Sequence, residues 1–416
     1  YPVAYAWMLF SQALVLVFLT LILRNQIRFR WPIVTIASLA LILTIVLPEG
    51  KAEVVAFTVM VGQIASAVLI VTIIEAFVLR TGHGGFSKIC IGHGFGMVML
   101  LVFVFAYYAS LDIDLGYNYS MVPPITGLIL VGLSFIALTG STIKRSIAAI
   151  GWFPAQVALL LVSVPLVWAL TWTTPDVQEG SGFPVRIVNY NLHNGFSVQG
   201  DLGLESLAKV IEEEKPDVVG LQEVSRGWLI NGSVDMLTWL SQRLDMPYVY
   251  GPTTGPLWGN AMLSRYPITA WGNEKLPPKD LLLLRGYLWT QLDIGGGQQL
   301  RVVTTHFHHI REDSDIRIKQ TNALLDFLKG GIQTVVMGDF NARRNDNEIH
   351  MLRDAGLTDV VAMGGVMPGL TYRSDNPQHQ IDYMFLSQDL FAKDVAVPES
   401  QASDHRPIAA TIFLKE

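Results

Sequence analysis

The 416-residue chain is 51% hydrophobic and only 15% charged, with a mean hydropathy of +0.39 and a net charge of −6. A soluble protein of this length carries about 25% charged residues, so part of the chain is expected to sit in lipid. The acidic balance argues against a nucleic-acid binder with a basic surface, and the single cysteine, Cys90, excludes a disulfide framework. The charge is also unevenly placed. Eight Lys/Arg and five Asp/Glu precede Thr174, about +3, which leaves about −9 for the remainder, so two composition classes meet near that residue.

Six apolar runs, at 6–23, 31–47, 54–79, 89–109, 121–140 and 147–172, reach or approach the roughly 20 residues that cross a bilayer core. The connecting loops alternate in charge. Arg24, Arg28 and Arg30 fill the first, Glu49, Lys51 and Glu53 the second, Arg80 and Lys88 flank the third, Asp112 and Asp114 the fourth, and Lys144 and Arg145 the fifth. Because Lys and Arg favour the cytoplasmic side, the odd-numbered loops are expected there and the segment after the sixth run on the opposite side. A buried core in a soluble protein does not repeat such runs six times, and a signal peptide supplies only one. Glu75, near Arg80, reads as an interfacial side chain at least as readily as an intramembrane functional acid. Neither His93 nor the Gly-rich 81–85 loop reveals chemistry. Opening on Tyr1 rather than Met leaves room for sequence upstream. The expected organisation is a transmembrane helical domain at 1–173, a linker at 174–184 and a hydrolytic domain at 185–416.

From Gly182 the texture changes to short β-branched runs separated by Gly, Pro and Asp. Strands are predicted at 186–191, 218–223, 260–264, 288–294, 300–307, 334–339, 380–386 and 408–414, with a hairpin turn at Gly295-Gly296-Gly297. Helices are predicted at 204–214, 233–244 (with Ser233 as N-cap), 314–328 and 347–354. Strands alternating with helices imply a layered α/β domain.

Acidic and polar residues recur at the predicted strand ends, where α/β folds gather their sites. Asn191 and His193 follow the first strand, Gln222-Glu223 ends the next, His306 closes the 300–307 strand, and Asp339 and Asn341 follow 334–338. Asp382 opens Tyr383-Met384-Phe385, and Ser403-Asp404-His405 precedes the last strand. Any one of them reads equally well as a turn or capping residue; the set does not. Carboxylate and amide oxygens suit a hard cation such as Mg²⁺, and histidines beside such a site suit proton transfer or oxyanion stabilisation. Phosphodiester hydrolysis needs this combination. Zinc fits less well, because there is no Cys pair and His306, His308 and His309 lack an established zinc spacing.

The order Asn191, Gln222-Glu223, Gly259-Asn260-Ala261-Met262-Leu263-Ser264-Arg265, Thr305-His306, Gly338-Asp339-Phe340-Asn341, Ile381-Asp382-Tyr383 and Ser403-Asp404-His405 resembles the endonuclease/exonuclease/phosphatase superfamily over about 230 residues. Gly-Asp-Phe-Asn is its most specific element. The resemblance implies a four-layer α/β/β/α sandwich. It implies Glu223 as the main ligand of Mg²⁺ (Mn²⁺ or Ca²⁺ in its place), with Asn191 and Asp404 close to the ion. Asp339 and Asn341 would position the attacking water and the scissile phosphate. His405, oriented by Asp382, would transfer a proton or contact phosphate, and His306 would donate to a phosphate oxygen. The resemblance leaves open whether Asp339 or His405 is the base. His193, Asn260 and Arg265 are expected to contact substrate; His193 stands where such proteins often carry Asn or Asp.

The helical block, together with Tyr190-Asn-Leu-His-Asn-Gly195 and Leu257-Trp-Gly-Asn-Ala-Met-Leu-Ser-Arg-Tyr-Pro-Ile268, resembles a narrower group. These are membrane proteins of the Cwh/PGAP-interacting type, implicated in remodelling the lipid of glycosylphosphatidylinositol anchors, whose longer members carry additional helices upstream. The expected substrate is therefore a phospholipid or inositol-phospholipid head group on the extracytoplasmic face, since tethering raises effective concentration at the bilayer. Two alternatives are an extracytoplasmic nuclease, which the −9 balance disfavours, and a non-catalytic lipid- or partner-binding protein, which the intact site disfavours. Asn118-Tyr-Ser120 and Asn231-Gly-Ser233 match glycosylation triplets, a pattern that chance produces often.

Overall fold

Where the sequence carries its six apolar runs the backbone is helical: α1 (Pro2–Leu23), α2 (Arg30–Val46), α3 (Ala52–Arg80), α4 (Phe86–Asp112), α5 (Val122–Thr139) and α6 (Phe153–Thr171). Pro123 and Pro154 stand in the first turns of α5 and α6, where a missing N–H leaves no acceptor unmet. The computed structural model describes residues 2–23, 30–46, 52–80, 86–112, 121–139, 151–228 and 231–415. Arg24, Arg28, Glu49, Lys51, the 81–85 loop, Asp114, the Asn118 triplet, Lys144 and Arg145 lie outside the described residues. So do the side chains of Glu53, Glu75, Arg80, Lys88, Cys90, His93 and Asp112.

The chain divides into two units, Tyr1–Thr173 and Thr174–Glu416. Within the first, Val34 and Leu41 of α2 pack against Ala65 and Leu69 of α3 and Leu138 of α5. Large apolar side chains such as Ile36, Leu101, Phe105, Ile136, Phe153 and Leu170 are exposed instead. Among the described residues one helix, Val122–Thr139, is long and apolar enough to cross a membrane; the apolar stretches described in the other five are shorter.

The second unit is a sandwich of two six-stranded sheets. In chain order the strands are β1 (Val185–Asn191), β2 (Val218–Ser225), β3 (Tyr248–Thr254), β4 (Trp258–Ser264), β5 (Ile268–Lys275) and β6 (Gly286–Gly295). There follow β7 (Gln298–His306), β8 (Thr334–Asp339), β9 (Thr358–Asp359), β10 (Asp382–Leu386), β11 (Leu390–Ala396) and β12 (Ile408–Leu414). One sheet has the order β11-β12-β1-β2-β4-β3 and the other β5-β6-β7-β8-β10-β9. Each is built around one parallel pair, β1 with β2 and β7 with β8, flanked by antiparallel neighbours.

Period-two alternation makes the layers. Ile187, Val218, Val302, Val335 and Met384 face the partner sheet in one core. Their neighbours Val188 and Val219 face α7 (Leu204–Glu213) and α8 (Met236–Leu244), while Val303, Val336 and Phe385 face α9 (Ser314–Leu328) and α10 (Asn347–Asp354). The result is the four-layer α/β/β/α sandwich.

Three details depart from the sequence reading. The N-cap of α8 is Asp235, whose side chain accepts from the Thr238 N–H at 3.1 Å, because Ser233 lies in a left-handed turn with φ 59°. Strands β3, β5, β9 and β11 lie outside the predicted set. Segment 174–184 packs on the second unit, with the Gln178 N–H donating to Arg265 O at 2.6 Å and the Gly182 N–H to Ile294 O at 2.7 Å.

Candidate active site

Both parallel pairs end on the same side of the sandwich, and their C-terminal ends bring the polar residues together. Asn191 ends β1 opposite Gln222, and Asp339 ends β8 between His306 of β7 and Asp382 of β10. Gly338 allows that convergence. A Cβ there would stand 2.0 Å from Thr305 O, so only glycine lets β7 and β8 approach so closely. Glu223 is aimed by a bulge. Its φ of 54° breaks the β2–β4 register between Leu221 and Val224. Gln222 turns into the inter-sheet layer, donating to Asn189 Oδ1 at 2.8 Å and Thr304 Oγ1 at 2.7 Å.

The amide of Asn191 stands between two acids. Its Nδ2 donates to Asp339 Oδ2 at 3.0 Å and lies 3.4 Å from Glu223 Oε1. Its oxygen accepts the His193 backbone N–H at 3.0 Å, which fixes the orientation of the amide. As placed, the Asn191 amide is a donor that bridges two carboxylates. Asn194, which the sequence reading did not single out, donates to the other Glu223 oxygen at 3.0 Å.

Two histidines flank Asp339 in opposite electrostatic states. The His405 Nδ1 lies 2.8 Å from Asp382 Oδ2, and its Nε2 lies 3.7 Å from Asp339 Oδ2. Burial alone would depress this imidazole, but the Asp382 and Asp339 carboxylates outweigh it and hold the ring protonated well above the ordinary histidine range. His306 is driven the other way, by burial and then by the Arg285 cation. The Arg285 Nη1 is 3.0 Å from both ring nitrogens, and equal separations place the guanidinium against the face of the ring. His306 is therefore neutral. Asn341 Nδ2 donates to Phe307 O and lies against His306 Nε2, each at 3.1 Å, while its backbone N–H donates to Asp339 Oδ1 at 2.9 Å. Burial pushes the Asp339 carboxyl up to about 7, against the partly offsetting charge of His405.

Asp404 completes the rim, its Oδ1 3.6 Å from His193 Nδ1 and 3.9 Å from His405 Nε2. The Glu223 carboxyl is raised by burial and next by the charge of Asp404. Hard oxygen donors that repel one another fit a divalent cation, so Glu223 and Asp404 are the residues that would hold one. Asp339, Asp382 and His405 also offer ligand atoms within 4.8 Å of one another. An ion there would have to displace the Asp382–His405 hydrogen bond, so that group reads better as an acid–base set.

The two remaining expected substrate contacts stand at opposite ends of β4. Asn260 is buried and donates to Gly286 O at 2.9 Å, beside the site, since Gly286 pairs with His306 across β6 and β7. Arg265 follows the end of β4 that pairs with the start of β2, at the far edge of the sheet, where its Nε donates to Pro216 O at 3.1 Å.

The sequence pattern of the Endonuclease/Exonuclease/phosphatase family matches residues 188–405. Two similar bacterial proteins are uncharacterized protein YbhP of Escherichia coli (strain K12) and UPF0294 protein VP2298 of Vibrio parahaemolyticus. The first is 23% identical over 256 residues, 58% of this chain and 100% of that protein. The second is 23% identical over 301 residues, 64% of this chain and 99% of that protein. Among solved structures, an endonuclease/exonuclease/phosphatase from Beutenbergia cavernae superposes with a TM-score of 0.49 at 21% identity, over 56% of this chain and 72% of that one. The catalytic domain of human Nocturnin, solved with a bound sulfate anion, gives 0.45 at 22% identity, over 56% and 94%.

Proposed function

The chain belongs to the endonuclease/exonuclease/phosphatase family, and we propose that it is a membrane-tethered, metal-dependent phosphodiesterase acting on a phospholipid or inositol-phospholipid head group. The observation that carries hydrolysis is the pairing around Asp339 of a cationic His405, backed by Asp382, with a neutral His306. In this reading Asp339, poised near neutrality, accepts a proton from the attacking water. As the water oxygen bonds to phosphorus, the bond to the leaving oxygen breaks and His405 supplies that oxygen's proton. Neutral His306 offers a ring N–H to a phosphate oxygen, while the Asn191 and Asn341 amides, already engaged, hold Asp339 and His306 in place. Glu223 and Asp404 would hold a divalent cation, which would supply charge neutralisation to the phosphate.

Support for a lipid substrate comes from the first unit. Helices that turn Ile36, Leu101, Phe105, Phe153 and Leu170 outward have no aqueous partner for those faces, and a bilayer is the solvent that suits them. The proposed arrangement is multi-pass, with the hydrolase unit on the extracytoplasmic side, as the loop charges suggest.

The test is release of phosphorylated head group from inositol phospholipids in detergent micelles, with Mg²⁺ and then EDTA, beside single-stranded and duplex DNA. EDTA-sensitive lipid turnover with inert DNA supports the reading. DNA cleavage with inert lipid replaces it with an extracytoplasmic nuclease, and inert lipid and DNA alike refute catalysis on either.

A further inference from the structure

Glu223 is held by more than its bulge. Trp258, at the start of β4, is buried, and its indole Nε1 donates to Asn194 Oδ1 at 2.8 Å. An indole N–H can only donate, so the Asn194 oxygen must face it. The NH₂ of the same amide is thereby turned toward Glu223 Oε2, which it meets at 3.0 Å. With the tryptophan N–H in place, the asparagine cannot flip without losing both bonds. Asn194 itself stands at φ 55°, a left-handed conformation that asparagine tolerates better than most residues. The Trp258 ring is fixed in turn. It stacks on Trp228 with centroids 6.0 Å apart and planes 11° apart, and the Arg285 guanidinium lies 5.3 Å over it.

We propose that Trp258 and Asn194 are positioning residues of the metal site, the tryptophan N–H orienting the Asn194 amide and the amide orienting the Glu223 carboxylate toward the cation. The inference rests on the metal-dependent reading above and adds to it the hydrogen-bond chain that sets ligand geometry. Groups of this kind, one step behind a metal ligand, change metal affinity by about 10- to 100-fold when removed.

The test is Mn²⁺ binding by the full chain in detergent micelles, with free Mn²⁺ measured by electron paramagnetic resonance, so that no turnover is needed. Trp258→Phe keeps an aromatic ring and removes the N–H; Asn194→Ala removes the amide. Each is expected to weaken Mn²⁺ binding by about tenfold or more, while the circular dichroism spectrum stays that of the wild type. Because both act through one chain of bonds, the double variant is expected to lose little beyond the larger single loss. Wild-type affinity in Trp258→Phe, or losses that multiply in the double variant, would overturn the proposal. If Trp258→Phe does not fold, Asn194→Ser, which cannot span the two partners, is expected to lose Mn²⁺ affinity in its place, and wild-type affinity there overturns the chain. A wild-type protein that binds no Mn²⁺ overturns the metal reading itself, an outcome distinct from the other two.

Discussion

Asp382→Asn isolates the group that charges His405. The substitution keeps shape and volume and removes one buried negative charge 2.8 Å from the imidazole Nδ1. At an effective dielectric of about 20, two unit charges at that separation attract by about 6 kcal/mol. Burial opposes protonation, and with Asp382 neutral only the more distant Asp339 and Asp404 remain to resist it. His405 is therefore expected to hold its proton less tightly in the variant, and kcat on a phosphodiester to fall by a factor on the order of 10²–10⁴. The pH range in which Asp339 has lost its proton while His405 still holds one should narrow in the variant.

Stability gives a second readout of the same charge, measured on metal-free protein in EDTA. A histidine whose folded pKa is raised contributes its full stability below the unfolded value of about 6.5 and loses it as pH rises through the folded value. The melting-temperature gap between wild type and Asp382→Asn should therefore be widest near pH 5–6.5 and narrow toward alkaline pH. A variant that keeps kcat within threefold, with an unchanged pH profile, would show that the Asp382–His405 pair is structural only.

Three further outcomes follow from the site and its surroundings. Glu223→Gln should abolish Mg²⁺-dependent turnover without lowering the melting temperature, because burial and Asp404 already disfavour its charge; activity retained with Mg²⁺ sinks the metal assignment. In EDTA, folded Asp339 keeps its proton up to about 7 while the unfolded chain releases it near 3.8, so stability should fall as pH rises across that window. Asp339→Asn should flatten that fall, and melting curves of equal slope for both proteins would contradict it. Arg317→Met strands the Glu348 carboxylate, now paired at 3.0 Å with both side chains fully buried. It should cost about 3–5 kcal/mol, on the order of 10 °C in melting temperature; a shift under about 2 °C would mean that the Ser314 hydroxyl, 2.8 Å from the same oxygen, is partner enough.

The strands that were legible are those that alternate cleanly or end on an acid. β8 reads Thr-Val-Val-Met-Gly-Asp, and its bounds match the expectation to the residue. β3 was hidden because it contains Gly251 and Pro252, which local rules assign to turns. β5 is an edge strand with Thr269, Ala270 and Trp271 exposed, so it shows no buried face to detect. β11 was obscured by Lys393 and Asp394, where its pairing with β12 shifts register.

The candidate site was legible as an order of residues and much less as a set of roles. Strand ends could be named from sequence, but a bulge cannot, and without the positive φ of Glu223 strict alternation would turn its carboxylate away from the cleft. Arg265 belongs to the same motif as Asn260, yet β4 runs antiparallel to β2, so five residues carry the chain from the site's edge to the opposite one. Asn194 escaped notice because its role depends on the N–H of Trp258, 64 positions away. Asn191 is expected close to the cation, and asparagine offers both an oxygen and a donor. Only the His193 N–H, which occupies that oxygen, reveals that the donor faces the acids.

The two sheets explain why the chemistry is scattered along the chain. Each repeats one plan: a parallel pair joined through a helix, with an antiparallel partner on either side. In the first the ends of the pair present Asn191 and Glu223; in the second they present His306 and Asp339. The first pair thus supplies the candidate cation ligand with the amide that orients it, and the second supplies the acid near neutrality with its neutral histidine. Neither sheet holds a complete site. Asn191 Nδ2 crosses between them to Asp339 at 3.0 Å, and Asn189 Nδ2 approaches Gly338 O at 3.4 Å one layer deeper. A perturbation of the inter-sheet core should therefore act on the site through the Asn191–Asp339 separation before it unfolds either sheet. Substitutions at Met337 or Val302 are expected to lower turnover at temperatures where both sheets still show native circular dichroism.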